Sequence, residues 1–197
     1  MDSLLQFVEL LQKYRSVERA ILVKGTDRVE NDTEHSYSLA MLAWYISSTY
    51  KLDLDLEKLF LYALAHDLVE VYAGDIQFQH ITDEVARQKH DAEQKAAERL
   101  KKEFPEFPEL HTVIEQYEKR EDQESKFIYA LDKVEPALNI YIDRGRSWRK
   151  EGITLDVFKR LKLPKVAEDP TIESLLKELI VRLENEHDNL FLSSKES

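Results

Sequence analysis

The chain has 197 residues, a formal net charge of −11 and no cysteine. That length suits one domain with a substantial core. The acidic balance argues against a broad nucleic-acid or anionic-membrane surface, and the lack of thiols excludes disulfides, zinc–thiolate sites and a cysteine nucleophile.

Leu, Ala, Glu and Lys dominate, and there are only four Gly and five Pro, a balance that favours helices over a loop-rich β fold. The first segment, "MDSLLQFVELLQKYR", has Leu4, Leu5, Phe7, Val8, Leu11 and Tyr14 at helical spacing over 3–14. It has no basic leader region, so it is not expected to be a signal peptide. A loop, "VKGTDRVEND", follows. Asn31, Asp32 or Thr33 can cap a helix over 33–50 whose apolar face carries Leu39, Leu42, Ala43 and Ile46. A third helix is expected over 55–70; its middle, "LFLYALA", is apolar nearly all round, which marks the central buried helix.

An irregular piece with Gln77, Gln79 and His80 leads to a long charged helix over 83–103, read as a largely solvated face. "FPEFPEL" marks a turn, with Pro105 or Pro108 suited to open a helix over 108–119. The apolar pattern resumes over 124–143, where Pro136 is expected to kink the helix. "RGRSWRKEG" reads as a basic loop, and helices over 154–162 and 170–190 complete the chain. The pattern predicts an all-α domain over 1–192 with a disordered tail at 193–197. No apolar run approaches the roughly 20 residues needed to span a membrane, and a cytoplasmic protein is expected.

Ionisable residues interrupt this apolar pattern at telling places. His35 opens the second helix, His66 and Asp67 end the buried one, and Asp132 sits in "FIYALDKVEPAL" among core residues. A buried carboxylate is costly unless paired, hydrogen-bonded or metal-bound. Two imidazoles and two carboxylates suit one divalent cation, whether Mn, Fe, Co, Zn or Mg, with coordination left over for water and a substrate oxygen. Glu70 follows His66 by four residues and can exchange protons there. Asp75, after Gly74 in a turn, can reach the same cavity. Singly, each of these residues has a plainer structural reading; their combination argues for a metal site.

The order His35…His66-Asp67…Asp132 on helices resembles the HD superfamily of metal-dependent phosphohydrolases. "RVENDTEHS" at 28–36 and "HDLVEVYAGD" at 66–75 resemble segments of the bacterial HD-domain 5′-deoxynucleotidases. The resemblance implies a single-domain orthogonal helical bundle, with His35, His66, Asp67 and Asp132 as metal ligands. It also implies Glu70 as catalytic acid/base, and Asp75 ordering the attacking water or a sugar hydroxyl. Arg19 is the best match for the arginine that holds the substrate phosphate, with Arg15 a nearby rival. Where relatives carry an aromatic after that arginine, Ala20 stands here.

The implied activity is removal of the 5′-phosphate from (deoxy)nucleoside monophosphates by a homodimer that needs no nucleic-acid polymer and no membrane. The alternative substrates are a nucleotide diphosphate or a cyclic phosphate. An iron oxygenase would need further His ligands, and His80, His90 and His111 read instead as solvated helix residues. A non-catalytic helical module would have no reason to keep both buried carboxylates. The cations of "RGRSWRK" read mainly as complements to a helix C-terminus. Trp44, Tyr45, Phe60 and Tyr62 read as core or dimer interface.

Overall fold

The computed structural model describes residues 1–74 and 83–192. Helix α1 (Asp2–Tyr14) leads into two short strands, β1 (Glu18–Leu22) and β2 (Val29–Asn31). These pair antiparallel, with Glu18 opposite Asn31 and Leu22 opposite Val29. The segment expected to be a plain loop is therefore an irregular hairpin. Its five-residue strand buries Ile21 and Leu22, too short a run to stand out from the polar residues around it.

Helices α2 (Asp32–Thr49), α3 (Leu56–Ala65) and α7 (Gln123–Ile142) pack on one another and form the centre. In α2 the residues turned inward are His35, Leu39, Ala43 and Ile46. These recur at helical spacing, so the core stripe itself delivers His35 to the interior. Helix α3 is capped by Asp55, whose side chain accepts from the Glu57 and Lys58 amides. It buries Leu59, Tyr62, Ala63 and Ala65 but leaves Leu64 54% exposed, so it is apolar all round without being buried all round.

The third helix ends at Ala65, not at residue 70 as the sequence suggested. Residues 66–69 continue as turns, with Leu68 N bonded to Ala65 O and Glu70 N to Asp67 O. These tighter i→i−3 bonds redirect the chain into a short helix, α4 (Glu70–Ala73), closed by Gly74 at φ +76°. The spacing of Glu70 from His66 is thus set by a turn instead of a regular helical face.

Helix α5 (Asp83–Glu103) packs on α4. Ala96 and Leu100 are buried and its charged side chains are mostly exposed. Helix α6 (Pro108–Lys119) begins with proline at its first position, where no amide hydrogen is needed. Pro136 sits inside the continuous helix α7 and removes the amide that would bond the Asp132 carbonyl one turn back.

The expected basic loop contains a short helix, α8 (Arg146–Lys150). Trp148 is only 2% exposed and stacks on Phe191 at 4.9 Å. Arg149 donates to the carbonyls of Arg144, Asn189 and Leu190, and Arg146 pairs with Asp27 and Asp143. Arg149 thus ties residues 189–190 to the end of α7, and Arg146 ties that end to the turn at Asp27. Helices α9 (Leu155–Val166), α10 (Pro170–Asn185) and α11 (His187–Leu190) finish the described fold. The tail at 193–197 lies outside the described residues.

Gly145 adopts φ +72°, and a Cβ there would overlap the Leu190 carbonyl oxygen and lie 2.8 Å from its carbonyl carbon. Gly145→Ala is therefore expected to cost about 2–4 kcal/mol, combining left-handed strain with overpacking against backbone. Urea denaturation measures this; a loss under about 0.5 kcal/mol, the range of a neutral surface change, would refute the steric argument.

Candidate metal centre

The residues of "RVENDTEHS" each have a structural task. Asn31 caps α2 by accepting from the Glu34 amide at 3.0 Å, and Glu34 accepts from the Asn31 amide at 3.2 Å, a reciprocal capping box. Arg28 grips Glu34 with two bonds of 2.8 Å. Asp32, offered by the sequence as one possible cap, instead accepts from Arg19 at 3.1 Å. The cap fixes the first turn of α2, and His35 lies in that turn, fully buried.

His66 and Asp67 come from the turn after α3, and Asp132 from α7. One donor atom from each of His35, His66, Asp67 and Asp132 lies within 4.8 Å of every other. His35 Nε2 is 3.0 Å from Asp132 Oδ1 and 3.9 Å from Asp67 Oδ2. His66 Nε2 is 3.0 Å from Asp67 Oδ2 and 3.8 Å from Asp132 Oδ1. The structure thus brings together all four residues the sequence singled out as ligands.

The donor set fits a divalent cation. His66 Nδ1 bonds the Ala63 carbonyl at 3.1 Å, which places the proton there. That leaves the buried Nε2, which makes no hydrogen bond, facing two carboxylate oxygens. Burial alone would raise the Asp67 and Asp132 carboxyls. The groups around them override it: the His66 ring and the Arg19 guanidinium beside Asp67 hold it well below the usual carboxylate range, and Lys133 and His35 do the same for Asp132. Burial and the Arg19 charge push the His35 imidazole down, yet its bonds to Asp132 and Glu135 more than offset them and raise it to about 10. Two carboxylates and two inward nitrogens, three of the four residues buried, call for positive charge at their centre.

Around this cluster stand further charges. Arg19, on β1, pairs with Asp67 at 3.0 Å, with Asp32 at 3.1 Å and with Glu30 at 3.7 Å. Arg15 is exposed beyond the end of α1, which separates the two arginines that the sequence left as rivals. Glu70 is 3% exposed, and its Oε1 is 3.1 Å from Lys89 Nζ of α5. One oxygen each from Asp32, Asp67 and Glu70 lie within 4.8 Å of one another, so Glu70 borders the cluster. Lys162 of α9 is buried, and burial together with the Lys133 charge lowers its ammonium to about 7. Asp75 and His80 lie outside the described residues.

Sequence reasoning did not single out Glu30, Asp32, Lys89, Lys162 or Glu135. Glu135 had a usable signal, because it follows Asp132 by three residues and so shares its helix face. Asp32 had the same kind of signal, three residues before His35 on α2, whereas Glu30, Lys89 and Lys162 reach the site from separate elements and no local spacing announces them. His90 bonds Gln94 on the α5 surface and His111 bonds the Phe104 carbonyl at 2.8 Å. Neither belongs to the residue groups, among those described, that can hold an ion.

Residues 11–173 match the HD domain among protein families. A stretch of 139 residues is 30% identical to "5′-deoxynucleotidase HDDC2" of Mus musculus, covering 68% of this chain and 67% of that protein. The protein of that name from Danio rerio is 29% identical over 139 residues, covering 68% of this chain and 66% of its own length. The chain thus spans about two thirds of these relatives. Among solved structures, a "predicted metal-dependent phosphohydrolase" from Magnetospirillum magnetotacticum MS-1 superposes with TM-score 0.80 at 25% identity, covering 97% of this chain and 98% of that one. An "HD-domain phosphohydrolase" from Listeria innocua superposes with TM-score 0.72 at 19% identity, over 93% and 90% of the two chains.

Proposed function

This chain belongs to the HD-domain family of metal-dependent phosphohydrolases, and on that premise we propose that it removes the 5′-phosphate from nucleoside monophosphates, deoxynucleotides foremost. The observation that carries the substrate class is the 30% identity to a mouse protein named as a 5′-deoxynucleotidase. In this reading His35, His66, Asp67 and Asp132 hold one divalent cation, of the class Mn, Co, Fe, Zn or Mg. When bound, such an ion supplies Lewis acidity, making water more acidic and drawing charge from a phosphate oxygen.

The chain's own groups carry the remaining steps. Arg19, with a planar fork of donors beside Asp67, orients the phosphate and balances its charge. Lys89 Nζ, 3.1 Å from Glu70 Oε1, holds that carboxylate in place. Glu70 accepts a proton from the attacking water as its oxygen bonds to phosphorus. The P–O5′ bond then breaks, its electron pair stays on the nucleoside oxygen, and that oxygen takes up the proton. Asp75 is assigned the ordering of the water or of a sugar hydroxyl. Burial of Glu70 and of both His ligands keeps bulk water from competing for these bonds.

A homodimer is part of the same proposal. Tyr37, Met41, Trp44 and Tyr45 recur at i, i+4, i+7 and i+8 along α2 and are 43–65% exposed, a stripe that a second copy would cover. Light scattering at micromolar concentration reads the mass directly. Among the described residues no helix is long and apolar enough to cross a membrane.

The test of the substrate is product analysis. Metal-stripped protein is reloaded with each ion in turn and offered ribo- and deoxynucleoside mono-, di- and triphosphates and cyclic monophosphates. Orthophosphate released from deoxynucleoside monophosphates is the expected result. Silence on every monophosphate, with cleavage of a diphosphate or cyclic ester, would move the substrate elsewhere within the family.

A further inference from the structure

One buried carboxylate beside the cluster has no part in the mechanism above. Glu135 is 0% exposed and lies on α7 one turn beyond Asp132. Its Oε2 is 3.0 Å from His35 Nδ1, the ring nitrogen turned away from the cluster. Its Oε1 accepts from Asn139 Nδ2 at 2.6 Å. The same amide nitrogen reaches Glu30 Oε1 at 3.4 Å. Two carboxylates thus flank the Asn139 amide and fix which way it points. Both partners of Glu135 are donors, so the position needs a group that only accepts.

We propose that Glu135 is a positioning residue for His35: it accepts the Nδ1–H and fixes the ring, so that Nε2, which bonds Asp132 in this structure, is the nitrogen that would give up its proton to bind a cation. Asn139, held by Glu30, fixes Glu135 in turn. The inference rests on the reading of His35 as a cation ligand. It adds that the choice of ring nitrogen is made from outside the cluster by a carboxylate 100 positions away in sequence.

Glutamine at 135 keeps the shape but turns one acceptor into a donor. With its oxygen toward Asn139, its NH2 faces His35 Nδ1. The ring then accepts at Nδ1 and carries its proton on Nε2, the atom the cation needs. Removing the Asn139 amide relieves the conflict, because the glutamine oxygen can then turn to His35.

The experiment is Co(II) affinity by chelator competition on the full chain, with circular dichroism confirming the fold of each variant. Glu135→Gln is expected to weaken Co(II) binding about 10–100-fold. Asn139→Ala alone should weaken it less than Glu135→Gln does, because Glu135 loses one restraint but keeps its acceptor for the His35 Nδ1–H. The double variant Glu135→Gln/Asn139→Ala should bind more tightly than Glu135→Gln, whereas two packing losses would add. In zinc-loaded wild type, nitrogen-15 NMR should show the His35 proton on Nδ1, and this needs no variant.

A proton absent from Nδ1 in wild type overturns the proposal, as does a Glu135→Gln protein that binds Co(II) like wild type. A double variant no better than the single one also overturns it. Folded wild type that binds no Co(II) removes the ligand reading itself. Wild type that binds, with no dependence on residue 135, removes only the role of Glu135.

Discussion

Asp67→Ala is expected to lower turnover on the order of 10³-fold or more, because a cation's stabilisation of the transition state is worth several kcal/mol. The side chain lies 3.0 Å from both His66 Nε2 and Arg19 Nη1. Its loss removes one candidate ligand oxygen and one of the carboxylates that hold Arg19. Metal content by elemental analysis should fall with activity. Thermal melts add a second readout: excess Mn(II) or Co(II) should stabilise wild type by RT ln(1 + [L]/Kd), about 2.7 kcal/mol at a hundredfold excess over Kd, and leave the variant unmoved. Full activity in a variant that retains its metal would end the assignment of Asp67 as a ligand.

Glu70→Gln separates proton transfer from metal binding. The variant cannot accept a proton, and the expected loss in kcat is about 10²–10⁴-fold. Glu70 is proposed to stand beside the ligands and not among them, so metal content and the metal-induced rise in melting temperature should stay at wild-type values. Glutamine can still accept from Lys89 at Oε1, so the fold should tolerate the change. A variant that loses metal together with activity would reassign Glu70 to the ligand set. A variant with normal turnover would pass the proton transfer to another group.

Much of this architecture was legible in local spacing. The helices over 83–103 and 108–119 end where the sequence places them, because Pro108 and the amphipathic repeat act through neighbours three or four residues away. Asn31 caps the helix it was offered for. The four residues of the cluster were legible for a different reason: a carboxylate or imidazole inside an apolar stripe has few stable explanations.

The misreadings fall where local spacing stops being informative. "LAHD" looks helical throughout, yet the helix ends at Ala65, and that turn carries His66 and Asp67 into the cluster. The basic loop hides Trp148, which packs against Phe158 of the following helix and against Phe191, 43 residues further along the chain. Arg19 shows nothing in its own segment of its three carboxylate partners.

The sequence by itself determined where the long helices lie, which of their faces are apolar and which ionisable groups those faces carry inward. Periodicity and capping are properties of a few consecutive residues, so they can be read without a fold. Tertiary structure alone decided that Glu135 stands behind His35, that Lys89 stands behind Glu70 and that Arg19 joins Asp32 to Asp67. These partners are separated by 100, 19, 13 and 48 positions. A hydrogen bond needs its two atoms within about 3 Å, and over such separations only the packing of α2, α3, α5 and α7 with the hairpin brings them there.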